Sequence, residues 1–217
     1  YSNGGDKLIV KNNINNATDL KDKNILLPSH TISLWFLNNY LKKNNLSIND
    51  VNIIDQNENL APLQFNESSN FMAVVGWNPI INQALTEDTH IAATSADFPE
   101  VIYDLIVAKK SFVDKNPQMV ERFLVDYYNS INSENIIDIS AQEFSVSGKE
   151  YKSWLQDAYI YPTRAIANKQ YQKLMDNSEE IINFLTIPPK SLRSTKSESM
   201  FVPRKIDIQS LIYFNKN

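Results

Sequence analysis

Ser29, His30 and Thr31 stand together directly after the apolar run Asn24-Ile25-Leu26-Leu27-Pro28 and directly before a helical pattern. Hydroxyls and an imidazole at a strand-to-helix turn can cap the helix, or they can hold a ligand beside its free amides. Both readings stand for Ser29 and Thr31, while His30 reads more simply as a hydrogen-bonded turn residue. Trp77 and Asn78, within Gly76-Trp77-Asn78-Pro79, follow another apolar run. There Gly76 permits close backbone approach, and Trp77 is either a flat wall for a ligand or a core side chain. Thr94-Ser95-Ala96-Asp97-Phe98-Pro99 follows a third run, with Asp97 either a turn former or a polar ligand contact. Three such turns gathered at the carboxyl edge of one sheet are what a cleft for a small molecule requires.

Other chemistries find little material. The 217 residues include no cysteine, histidines only at positions 30 and 90, and glycines only at 4, 5, 76 and 148. Thiol nucleophiles, thiolate metal sites and disulfides are therefore out of reach. A glycine-rich phosphate loop, a G-x-S-x-G elbow and a paired-histidine helix are all missing from the sequence. Glu179-Glu180 reads as a solvated helix face. The expectation is a protein that is not an enzyme, with no catalytic residue, no metal and no cofactor. A net charge of -4, from 21 Lys+Arg against 25 Asp+Glu, argues against nucleic acid as a partner. No apolar run approaches the roughly 18–20 residues needed to cross a bilayer. Asparagine is abundant, at 27 residues against 4 glycines, and reads as drift on a solvated surface. The chain opens on Tyr-Ser-Asn-Gly-Gly, with neither an initiator Met nor a signal peptide, so the expectation is that something has been removed or that the parent protein is longer.

The elements that must position these turns follow from periodicity. Short apolar runs predict strands at Lys7–Val10, Asn24–Leu27, Val51–Ile54, Phe71–Val75, His90–Ala93 and Tyr103–Ala108. Between them, helical spacing covers residues 32–44, 58–64 and 79–85. Strands alternating with helices of this length predict parallel pairing and an α/β class. Beyond residue 110 the pattern is helical: 111–130 with a restart at Pro117, then 149–157, 168–175, 178–185 and 206–213. Residues 191–199 read as an exposed loop.

Five blocks, in order, carry a resemblance. They are residues 17–28 (ATDLKDKNILLP), 40–51 (YLKKNNLSINDV), 71–79 (FMAVVGWNP), 93–99 (ATSADFP) and 104–117 (DLIVAKKSFVDKNP). Together they resemble bacterial periplasmic substrate-binding proteins of ABC importers, in the NMT1/THI5-like and SsuA/TauA-like group that serves nitrate, sulfonates, taurine and thiamine precursors. The chain departs from that pattern at Asp22, where the family has glycine, and at Ser69-Asn70-Phe71-Met72-Ala73, where its usual Gly and Asp are missing.

The resemblance implies a type II periplasmic-binding-protein-like α/β fold, with two lobes of parallel or mixed sheets flanked by helices and an incomplete first lobe. Residues 1–13 would be a first-lobe strand and hinge, 14–103 the second lobe, and 104–217 the return to the first lobe with the C-terminal helices. It implies a small polar or anionic ligand held between the lobes by Ser29, His30, Thr31, Trp77, Asn78 and Asp97. The partners implied are an ABC permease in a membrane and the upstream remainder of its own chain, in a periplasmic or extracytoplasmic location. All four arginines (122, 164, 193 and 204) fall outside the second lobe, so an anion would be held there by helix amides and hydroxyls. A ligand-sensing input domain of a signalling protein is the alternative, with a THI5-like pyrimidine-forming enzyme ranked below it.

Overall fold

Leu8, Ile9 and Val10 are fully buried, and so are Ile25, Leu26 and Leu27. Consecutive burial along a strand means that both sheet faces are covered, which is why these runs are uninterruptedly apolar and not alternating. The computed structural model describes residues 1–130, 133–144, 146–158 and 164–193. Five strands, β1 (Asp6–Lys11), β2 (Asn24–Leu27), β3 (Asn52–Asp55), β4 (Phe71–Trp77) and β5 (Thr89–Thr94), pair in the order β3-β2-β4-β1-β5. β2 is parallel to β3 and β4, whereas β1 runs antiparallel to both β4 and β5. The carboxyl ends of β2, β3, β4 and β5 therefore share one edge with the start of β1. The resemblance implies residues 1–13 as a first-lobe strand and hinge; in the structure β1 pairs within this sheet, with Leu8 opposite Val75 and Ala93.

Alternation splits the core in two. On one face Leu8, Val10, Ile25, Leu27 and Val75 meet Leu34, Phe36, Leu37 and Leu41 of helix α1 (Ile32–Lys43). On the other, Ile9, Leu26 and Val74 meet Ala61 and Phe65 of α2 (Ala61–Glu67) and Ile81 and Ala84 of the 3-10 turn Ile80–Ala84. α1 ends at Asn45, whose φ of 58° is left-handed. The Asn45 N–H donates to Lys42 O at 3.0 Å and the Leu46 N–H to Leu41 O at 2.9 Å, closing the last turn in a Schellman arrangement. Asp22, where the family has glycine, likewise has φ 60°. A Cβ in this region costs about 1 kcal/mol, which Asp and Asn lessen by local hydrogen bonding. Asp22→Gly is accordingly expected to raise stability by roughly 0.5–1 kcal/mol and Asp22→Ala to lower it by a similar amount, read as shifts of the urea midpoint at constant slope.

β3 is an outer strand, and its exposed ladder is covered locally. The Ile53 N–H donates to Ser191 Oγ at 2.9 Å, the Lys190 N–H donates to Asn49 Oδ1 at 2.9 Å, and Leu192 is 2% exposed. Ser191 and Leu192 thus belong to the core margin and not to the exposed loop expected from residue 191. Residues 194–199, and the helix expected at 206–213, lie outside the described residues.

The chain divides into two compact units. The described part of the first comprises residues 1–103, 157–158 and 179–193; that of the second comprises 104–130, 133–144, 146–156 and 164–178. Among its described residues the second unit is helical: α3 (Lys110–Lys115), α4 (Pro117–Ser130), α5 (Glu134–Glu143), α6 (Gly148–Ala158) and most of α7 (Arg164–Thr186). Pro117 occupies the first turn of α4, where its missing N–H costs nothing. The sequence predicts separate helices at 168–175 and 178–185; α7 runs through both. The sixth strand expected at Tyr103–Ala108 is not formed, and Leu105, Ile106 and Val107 are 58%, 55% and 80% exposed. Their apolar run reads as a strand, but a strand exists only as half of a pair, and no described segment of this unit is extended beside it.

Candidate functional site

The turn after β2 is held by a residue that sequence reasoning missed. Ser29 is fully buried, and both its backbone N–H and its Oγ–H donate to Asp55 Oδ1, at 2.8 and 2.6 Å. Asp55 is the last residue of β3, so parallel pairing of β2 and β3 brings it level with the turn. Thr31 caps α1: its Oγ1–H donates to Pro28 O at 2.7 Å while Oγ1 accepts from the Ser33 N–H at 3.3 Å. Of the two readings for these hydroxyls, capping and turn closure describe the contacts they make. His30 is exposed, and its side chain has no partner among the described residues.

The turn after β4 is open. Trp77 is only partly buried, and its indole makes no hydrogen bond among the described residues. The Asn78 N–H donates to Gly5 O at 2.8 Å, which ties this turn to the segment entering β1. A Cβ on Gly76 would lie 3.3 Å from Ile81 Cδ1, so the glycine makes room for the following 3-10 turn. The Lys7 ammonium donates to Asn78 Oδ1 at 2.8 Å and to Asn82 Oδ1 at 2.5 Å. These contacts were not legible in the sequence, because nothing in chain order places β1 beside β4.

After β5, Asp97 closes a capping box: its Oδ2 accepts the Thr94 N–H at 2.8 Å. Asp97 is exposed, and the turn-forming reading is the one its geometry displays. Ser95, 1% exposed, is the hub of this corner. Its Oγ lies 2.7 Å from the Gly4 nitrogen, 3.2 Å from the Asp6 nitrogen and 2.8 Å from Ser2 Oγ. Since it accepts from two backbone N–H groups, its own proton goes to Ser2 Oγ. The Ser2 N–H in turn donates to Ile102 O at 3.0 Å. Close by in sequence, the Tyr103 ring meets Tyr1 edge-on at 6.4 Å, and its buried hydroxyl has no hydrogen-bond partner among the described residues. Burial, then the charges of Glu100 and Tyr1, push the Tyr103 phenol up to about 12.

This edge therefore presents an aromatic face, amide donors, one lysine and the first turn of α1: means to bind and orient a small polar molecule. Among the described residues no group of three or more His, Cys, Asp or Glu side chains is placed to hold a metal ion. No described helix is long and apolar enough to cross a membrane.

Comparison with known proteins agrees with this architecture. The chain is similar in structure to the periplasmic aliphatic sulphonate binding protein SsuA from Escherichia coli, with a TM-score of 0.63 at 18% identity, over 97% of this chain and 65% of that one. It is similar also to the alkanesulfonate-binding protein SsuA from Xanthomonas axonopodis pv. citri bound to MOPS (TM-score 0.57, 14% identity, 83% of this chain and 67% of that one). A third likeness is to a putative periplasmic sulfonate-binding protein of a sulfonate ABC transporter from Methylobacillus flagellatus, with a TM-score of 0.55 at 14% identity, over 97% of this chain and 64% of that one. The chain thus spans about two thirds of the length of these structures. No curated protein matches it in sequence. The family model described as NMT1/THI5 like matches residues 8–132, which include the whole sheet from Leu8 onward, and the chain belongs to that family.

Proposed function

We propose that this protein is the solute-binding component of an ABC-type importer, working outside the cytoplasm and delivering a small polar or anionic molecule to a membrane permease. The observation that carries the proposal is the shared edge of the sheet, where the turns after β2 and β4 and the start of β1 converge in a member of the NMT1/THI5-like family. Residues 14–103, with β1 completing their sheet, serve as the second lobe, and the chain leaves it near 101–104. Closure follows from tighter binding of the ligand in the closed state. His30, Thr31, Trp77 and Asn78 face the ligand, while Ser29 and Asp97 hold the backbone of their turns in position. The protein binds its solute and releases it unchanged.

Titration calorimetry of the full-length protein with alkanesulfonates, MOPS, nitrate and pyrimidines tests this, since relatives named for sulfonates make those the first probes. At least one is expected to bind, and Trp77→Ala to weaken it about tenfold by removing the flat face. Absence of heat with every probe would overturn the proposal.

A further inference from the structure

No backbone N–H or C=O of Asp104, Leu105, Ile106, Val107 or Ala108 is hydrogen-bonded among the described residues. All five, and Lys109 after them, are exposed. The run is apolar and β-branched at its centre, so its composition suits a strand while its surroundings supply no partner. Its Asp104 end lies near α4: burial first, then the charges of Tyr128 and Asp104, push the Tyr127 phenol up. No residue of α3 or α4 is buried. Yet Val120, Phe123, Leu124 and Tyr127 recur at helical spacing, and the Phe123 and Tyr127 rings stack at 6.2 Å. Phe112, Met119 and Phe123 are exposed. A strand-forming run and an amphipathic helix with its apolar side open make one edge of an α/β layer that lacks a pairing strand.

The ends of the run choose that strand. Asp104 and Lys109 bracket it with opposite charges, and neither makes an ion pair among the described residues. Pairing two copies in parallel sets like charge beside like, whereas antiparallel pairing brings each Asp104 to the lysine end of the other copy. A surface that complements itself in this sense is what a closed twofold contact requires. The run is also too short to enter a bilayer. We infer that residues 104–109 form an antiparallel strand pair with the same residues of a second copy, covered by the apolar stripes of the two α4 helices. A two-stranded ribbon alone is marginal in water, and the helix stripes supply the apolar cover that it needs. The contact is independent of the solute-binding function proposed above.

Sedimentation equilibrium of the full chain tests this. A mass twice that of one chain is expected, with a dissociation constant of about 1–100 µM for a contact this small. Amides of residues 105–109 are expected to exchange slowly in the concentrated dimer and at unstructured-chain rates on dilution. Alternate N–H groups of a strand face its partner, so one of Ile106→Pro and Val107→Pro removes a ladder donor. That variant is expected to weaken the dimer about tenfold or more with an unchanged far-UV spectrum, since the run has no backbone bond to lose within one chain. Asp104→Lys turns attraction at both ends of the pair into repulsion and is expected to weaken it about 2- to 30-fold, more at low salt than at high. If the proline variants fail to fold, Asp104→Lys carries the test. A chain that stays monomeric to about 1 mM, or a dimer that Asp104→Lys and both proline variants leave unaltered, overturns the inference. Protected 105–109 amides in a monomer overturn it too, by showing that the run pairs within its own chain.

Discussion

Replacing Asp55 with alanine is expected to lower the free energy of unfolding by about 2–5 kcal/mol, a large share of what holds a domain of this size together. The reason is local. Ser29 is fully buried, and two of its donors end on a single carboxylate oxygen at 2.8 and 2.6 Å. Alanine leaves both the N–H and the O–H without an acceptor, and a buried donor left unsatisfied costs about 1–3 kcal/mol. Asp55→Asn preserves an oxygen at the same position and is expected to lose only about 1 kcal/mol. Denaturant unfolding of the two variants separates the effects, and equal losses would show that the acceptor is not what matters. A second readout is affinity: with the turn before α1 loosened, Asp55→Ala weakens solute binding even under conditions where the variant remains folded.

Ser95→Ala is the other large effect, at about 2–4 kcal/mol. One hydroxyl receives the Gly4 and Asp6 N–H groups at 2.7 and 3.2 Å and gives its proton to Ser2 Oγ, all inside a corner where Ser95 is 1% exposed. Deleting it strands two backbone donors at once, whereas Ser2→Ala removes only one hydroxyl contact and costs about 1 kcal/mol. Amide exchange locates the damage: the Gly4 and Asp6 N–H groups are expected to exchange faster in Ser95→Ala while the Ile9 N–H, deep in the sheet, keeps its protection. Uniform acceleration across β1 would mean global destabilisation and count against this local account.

Both sites rest on contacts between segments distant in the chain, and that sets how far the sequence could be read. β2 was legible to the residue because its pattern is local: an apolar run ended by Pro28. The family blocks and the capping role open to Thr31 were legible for the same reason. Asp55 was not, since it lies 26 residues from Ser29 and meets it only through the register of β2 on β3. Lys7 escaped notice because β1 enters the sheet antiparallel, between strands that follow it in sequence; alternating strands and helices say nothing of such an insertion. The missing sixth strand is the converse error, as Leu105-Ile106-Val107 has the composition of a strand and composition cannot supply a partner. The asparagines read as surface drift include working groups: Asn45 ends α1 in the left-handed region, Asn16 caps the turn at Ala17–Leu20, and Asn49 receives the Lys190 N–H.

The Ser95 hydroxyl also bears on how the molecule ages. Among the 27 asparagines only Asn3 is followed by glycine, the pairing most prone to spontaneous deamidation, because an unhindered backbone nitrogen can attack the side-chain amide and close a succinimide ring. In the folded chain that nitrogen belongs to Gly4, and its N–H is already given to Ser95 Oγ at 2.7 Å. The bond that ties the entering segment to β5 thus also holds the attacking atom away from Asn3, so the chemical lifetime of this corner is set by how often the hydrogen bond opens and not by the sequence Asn-Gly alone.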